Sequence, residues 1–270
     1  MRPSAATFDG VDDSAVTIGE DEAFARGTRG YAMSRAVAIN VGANTNTPGV
    51  RGPIRADGRF EYVPIPETEP VAEPVPTYAD LDLATDLPAD VLATPVHLDP
   101  EFPEYPHGER YSYGDPHGVK ARPLADLAAG DYALFYATLT TAGEPASWQA
   151  PEWGAYLIGQ FELACDPVTS AEYPDLAPAD RDRFASNAHV KRETFDAEVL
   201  LSGDPGGSAL YETALPLSGR TAGTNANRIV TELSDDSGKG PWWRRPLRFS
   251  EAATAELLAI RRNDRFADCF

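Results

Sequence analysis

Ten prolines fall within residues 60–109, and that stretch limits the fold more than any other part of the 270-residue chain. A proline inside a helix removes a backbone donor and clashes with the preceding turn, and in a central strand it breaks the ladder. The stretch is therefore expected to run as extended pieces and turns, with no long helix. It also carries twelve acidic residues and no lysine or arginine, the pattern of an irregular wrap with an acidic surface. Tyr62, Val63, Ile65, Leu81, Val91 and Leu92 are its expected anchors to the core.

The sequence on either side reads more regularly. Residues 1–32 are acidic, show no sustained period and are expected to be a disordered tail or a misassigned start, because Met33 stands just before an apolar strand pattern at 36–41. Residues 33–270 are expected to form a single domain. Beyond the wrap, 123–131 reads as a short helical turn ended by Gly130, and strands are expected at 132–138, 155–163 and 197–202. A modest helix is expected at 178–190. The last helix is the clearest, with Ser250 placed to cap it, Glu251 in its first turn, and Arg261 and Arg262 at its end. Strands outnumber helices and are irregularly spaced, which predicts an α+β fold: a curved, mostly antiparallel sheet or small β-barrel with peripheral helices and the proline-rich wrap.

Charge bears on partners rather than on fold. The chain carries 42 Asp and Glu against 23 Lys and Arg, a formal charge of −19, and its only lysines are Lys120, Lys191 and Lys239. Such a surface suits a salt-rich, halophilic archaeal or bacterial cytoplasm, where molar salt shortens the Debye length to about 3 Å. No apolar run approaches the roughly 18–20 residues of a membrane span, so a cytoplasmic protein is expected. Cys165 and Cys269 have no metal or disulfide spacing. From residue 219 onward the balance turns slightly basic, with nine Lys and Arg against seven Asp and Glu.

Four constellations could carry chemistry. Asn44, Thr45, Asn46 and Arg51 lie in a loop rich in amides, hydroxyls and glycines that could read a base edge and clamp a phosphate, or could simply be a turn. Tyr111, Tyr113, Asp115 and His117 crowd into one segment: the tyrosines could stack on a flat ligand and Asp115 and His117 could exchange protons, or Gly114-Asp115-Pro116 is a turn. Asn187, His189 and Arg192 gather at the end of the expected helix. A helix would turn His189 away from Asn187 and Lys191, and a polar helix end explains the same residues. Trp242 and Arg244 lie in an aromatic-basic run that could meet a nucleotide, or Trp242 is a core anchor. His97, His107, His117 and His189 form neither HxxxH nor HExxH, so no metal site is expected from histidine spacing, and no motif names a cofactor.

Segments 38–46, 58–67, 113–116, 127–136, 156–161 and 187–189 together resemble the third nucleotide-modification-associated domain family. That resemblance runs from about residue 33 to the end. It implies a role beside DNA base-modification and phage-defence systems, with nucleotide or modified DNA and other proteins of such systems as partners, and it carries over no catalytic residue. Residues 124–136 and 156–159 are also similar to PUA-like domains of the EVE and ASCH groups, which implies a small barrel that grips a nucleobase. The expectation is a reader of a modified base or nucleotide. The alternatives are an enzyme of base modification using His189 or His117 with Asp115, and a protein-interaction scaffold.

Overall fold

Alternation of side chains across two faces explains the centre of the molecule. The computed structural model describes residues 34–45, 48–263 and 265–270; the expectations for 1–32 and for Asn46 lie outside them. In chain order the strands are β1 (Ala36–Asn40), β2 (Pro53–Ile54), β3 (Ile65–Pro66), β4 (Val96–His97), β5 (Ser112–Asp115), β6 (Tyr132–Thr141), β7 (Trp153–Glu162), β8 (Val168–Thr169), β9 (Val199–Ser202), β10 (Ala209–Pro216) and β11 (Leu247–Phe249). The α-helices are α1 (Gly118–Ala125), α2 (Pro178–Arg181) and α3 (Glu251–Arg262).

The main sheet runs β10-β7-β6-β1-β11, with β2 added alongside β6. β1 lies parallel to β6 and antiparallel to β11, and β6 lies antiparallel to β7. Because successive residues point to opposite faces, Val37, Ile39, Ala133, Phe135 and Ile158 pack into one core, and Ala36, Ala38, Leu134, Tyr136 and Leu157 into another. β1 is apolar on both faces, as a strand in the middle of a covered sheet must be. The second core is closed by Leu257 and Ile260 of α3 and by Trp242, and Ser250 caps α3 by accepting from the Ala253 amide. The first is closed by Ala121 and Leu124 of α1 and by Tyr113, Val199 and Leu201 of a smaller antiparallel sheet, β5-β9-β8. Each large side chain buried in this way contributes about 1.5–3 kcal/mol.

The architecture is α+β, with mixed and antiparallel sheets and few helices. Among the described residues no strand order closes on itself, so the barrel alternative is not formed. The wrap contains only the short β3–β4 ladder and a 3-10 turn at Tyr78–Asp80. Tyr62, Val63 and Leu81 are buried as expected, whereas Ile65 and Leu92 are exposed; Tyr78 and Val96 complete the small core under the wrap instead. The helix expected at 178–190 is only one turn, α2, followed by a 3-10 turn at Asp182–Phe184, since Pro174 and Pro178 restrict its start and buried Phe184 pulls the chain inward. Gly114 and Asp115, read as a turn, end strand β5. Among the described residues no helix is long and apolar enough to cross a membrane.

Candidate functional site

The wrap supplies half of the site. β3 pairs with β4 so that Ile65 lies opposite His97, which brings the following Glu67 beside that histidine. Just past β4 the chain turns tightly at Leu98, with the Asp99 amide donating to the His97 carbonyl at 3.0 Å, and the His97 and Asp99 side chains reach the same centre. Glu101 then bridges to Ser112 of β5 and fastens the wrap there. Its buried carboxylate accepts from the Ser112 and Ser186 hydroxyls at 2.7 and 2.8 Å and from the Glu109 amide at 2.8 Å, so its role is to hold the chain.

The segment after α2 supplies the other half. Asn187 is fully buried; its amide nitrogen donates to Asp99 Oδ1 at 3.0 Å, and its oxygen accepts from the His189 backbone amide at 3.0 Å. No helix forms here, so the side chains of Asn187 and His189 both reach Asp99 instead of diverging. Gly114 allows this: a Cβ at that position would come within 2.6 Å of the His189 ring and 3.2 Å of the Asn187 oxygen. The Gly114 amide also donates to Asp99, at 3.0 and 3.1 Å to its two oxygens.

His97 and His189 meet edge to face, with ring centroids 4.7 Å apart. Each turns Nδ1 outward to a carboxylate: His97 to Glu67 Oε2 and His189 to Asp196 Oδ1, both at 2.7 Å. Each turns Nε2 inward toward Asp99 Oδ2, at 3.9 Å from His97 and 3.6 Å from His189. One donor atom from each of His97, Asp99 and His189 lies within 4.8 Å of the others, and all three residues are buried.

Arg192 joins the two outer carboxylates. Its Nε and Nη2 donate to Glu67 at 3.2 and 2.8 Å, and its Nη1 donates to Asp196 at 2.5 Å. Burial opposes ionisation of Glu67, yet hydrogen bonds from His97, Arg192 and the Glu69 amide override it and hold the carboxyl at about 2. Burial likewise disfavours a charged His189, but Asp99 and Asp196 outweigh that and raise it above the usual imidazole range. Asp196 is lowered despite partial burial, because His189 and Arg192 favour its charge. Arg192 is thus committed within the protein and is not a free phosphate clamp.

Above this centre opens a cleft of about 460 Å³, lined by His97, Asp99, Asp115, His117, Lys120 and His189, among others. Asp115 is buried and accepts from the Tyr113 hydroxyl at 2.5 Å and the His117 amide at 2.7 Å, with Lys120 Nζ at 3.9 Å. His117 is an exposed rim residue at the start of α1. His189 therefore takes Asp99 and Asp196 as its carboxylate partners, in place of the Asp115 expected from sequence.

Several sequence-selected residues lie elsewhere or play another part. Tyr113 lines the cleft but is buried, and burial together with Asp115 pushes its hydroxyl well above the usual tyrosine range. Tyr111 packs on Phe102 and Phe161 and donates to Glu104, outside the cleft. Trp242 is completely buried, with its indole N–H on the Thr224 carbonyl, so it offers no stacking face; Arg244 is exposed and does not line the cleft. Arg51 donates to Asn44 Oδ1 at 3.1 Å and lies 4.6 Å over the Trp153 ring, while Thr45 donates its amide to the same Asn44 oxygen. Among the described residues of that loop, only its start, Asn40 to Gly42, lines the cleft. Sequence reasoning missed Glu67, His97, Asp99 and Asp196; the legible signal was the His97-Leu98-Asp99 spacing.

Fold and cleft define an α+β protein with a polar, ligand-sized pocket over a histidine–aspartate centre. The model of nucleotide modification associated domain 3 matches residues 35–259, and the chain belongs to that family. Its role is accordingly associated with nucleotide modification. No curated protein and no solved structure matches the chain.

Proposed function

We propose that the chain is an enzyme that carries out a step of nucleotide or DNA base modification in the cleft above His97, Asp99 and His189. The observation that carries this reading is the orientation of two buried imidazoles: both present Nε2 to one carboxylate at the cleft floor while outer carboxylates hold their far sides. Keeping so many ionisable groups out of water is costly, and perturbed, mutually oriented groups in a cleft are the usual mark of a chemical site. The cleft volume of about 460 Å³ falls in the range of small-ligand sites and admits a nucleobase with its sugar. Asp115, His117, Lys120 and Asn40 at its wall supply polar groups for a base edge.

Pure recognition of a modified base fits the site less well. A reader gains affinity by stacking bases on exposed aromatic faces, and Tyr113 and Trp242 are buried while Tyr111 lies outside the cleft. Nucleotide or modified DNA remains the partner in either case, together with other proteins of a DNA-modification system.

Mass spectrometry of nucleosides from cellular DNA tests the reading, comparing the native gene, its deletion, and His189→Gln in the native locus. The expected result is a modified nucleoside that disappears in the deletion and in the variant while the variant protein remains folded. An unchanged nucleoside profile in both strains, with modified DNA still bound by the purified protein, would leave recognition in its place.

A further inference from the structure

The geometry points to a site for a divalent first-row transition-metal ion held by His97 Nε2, Asp99 Oδ2 and His189 Nε2, an inference that rests on the catalytic reading of this cleft and names the cofactor it would use. The inward contacts are the first argument. At 3.9 and 3.6 Å they exceed the roughly 2.7–3.2 Å of a hydrogen bond. Ligand atoms that share one ion at about 2.0–2.2 Å stand roughly 3.0–3.5 Å apart. The two contacts to Asp99 therefore need shorten by only a few tenths of an ångström, and the three donor atoms already lie within 4.8 Å of one another.

Orientation is the second argument. With each Nδ1 set 2.7 Å from its outer carboxylate, Nε2 is the nitrogen left facing the Asp99 carboxylate. A positive charge is needed between them, which a metal ion shared by the three supplies in place of protons. Metal-bound histidines typically give their second nitrogen to a carboxylate, which fixes the ring and raises its basicity. Here both do, and Arg192 bridges the two carboxylates involved. Asp99 is oriented in the same manner: Asn187 donates to Oδ1, the Gly114 amide donates to both oxygens, and Oδ2 faces the two imidazoles.

Donor chemistry narrows the ion. Two imidazoles and one carboxylate suit iron(II), manganese(II) or zinc and disfavour magnesium and calcium, which prefer oxygen ligands. The thiols of Cys165 and Cys269 are not among the residues lining the cleft. Three protein ligands at the floor of an open cleft leave coordination positions facing the substrate, as in catalytic rather than structural sites.

The test uses the full chain, stripped with a chelator and titrated separately with zinc, manganese(II), anaerobic iron(II) and magnesium chloride, followed by calorimetry and by elemental analysis after gel filtration. About one transition-metal ion per chain is expected, with no uptake of magnesium at equal concentration. His97→Gln, Asp99→Asn and His189→Gln should each abolish that uptake. Glu67→Gln should weaken it about 10- to 100-fold through the His97 ring. Circular dichroism identifies any variant that fails to fold, and Glu67→Gln together with the native chain then carries the comparison. The inference is overturned if the native chain takes up no transition metal, or if the folded ligand variants bind it as well as the native chain. Stoichiometric metal with unaltered cellular nucleosides would support this site and sink the enzymatic reading. Modification that survives complete metal removal would do the reverse.

Discussion

Replacing Arg192 by alanine removes the clamp between Glu67 and Asp196, and the structure sets the size of the effect. The guanidinium donates twice to Glu67 and once to Asp196. The Arg192 and Glu67 side chains are 9% and 2% exposed, whereas Asp196 is 35% exposed. Asp196 can rehydrate when the arginine goes, so its part of the loss is small. Glu67 cannot, and removing one member of a buried pair costs about 3–5 kcal/mol. For a chain of this size each kcal/mol moves the melting temperature by about 2–4 °C, giving an expected fall of roughly 6–20 °C. Thermal unfolding followed by circular dichroism in molar salt is the suitable assay, since salt screens exposed pairs and spares buried ones. Arg248→Ala, which breaks an exposed 3.5 Å pair with Asp235, is the control and should change stability by no more than about 1 kcal/mol. Arg192→Lys should not restore the clamp fully, because an ammonium lacks the planar fork. If Arg192→Ala melts within about 2 °C of the native chain, the buried clamp is not what the structure describes.

Gly114→Ala should displace His189 and lower nucleoside modification at least tenfold while the chain stays folded, whereas Gly118→Ala, where a Cβ meets open space, should leave modification intact; equal activity of the two would remove Gly114 from the account. Trp242→Ala should destabilise by about 3–5 kcal/mol in urea titration, because the ring is fully buried and its N–H is bonded; loss of nucleotide affinity without loss of stability would restore its reading as a stacking residue. Cys269 is buried and its thiol is pushed up to about 12 by that burial. The reactive thiolate is therefore scarce at pH 8, and Cys269 should resist a maleimide until the chain unfolds; rapid labelling of native protein at that position would contradict its placement.

Much of the scaffold was legible because it obeys local rules. β6, β7 and β9 follow apolar runs bounded by turn residues, and α3 follows its serine cap and terminal arginines. The 178–190 segment was misread because its polar composition fits a helix, while its short turns depend on Phe184 reaching a core that local sequence does not reveal. The site divided in the same way. Asn187, His189 and Arg192 were selected for their chemistry, yet helical geometry was assumed, and that placed His189 on the wrong side. Glu67, His97 and Asp99 were passed over because the proline-rich stretch was read as a wrap alone. Those prolines keep the chain out of a helix, and a tight turn at Leu98, closed by the Asp99 amide on the His97 carbonyl, brings the His97 imidazole and the Asp99 carboxylate to one centre. Their meeting with His189 is a contact across some ninety residues of chain, which no local spacing encodes. Trp242 and Tyr113 show the converse error: aromatic residues beside charges suggested stacking, and core packing claimed them first.

Asp99 is the residue on which the inward contacts of His97 and His189 and the supporting donors of Asn187 and Gly114 converge, and its isosteric replacement by asparagine tests the central claim most directly. Nucleosides from cells carrying Asp99→Asn in the native locus should lack the modified species found with the native gene, with the variant protein present at native abundance and with native circular dichroism. The same modified nucleoside at the native level in Asp99→Asn cells would show that the chemistry is not performed at this centre.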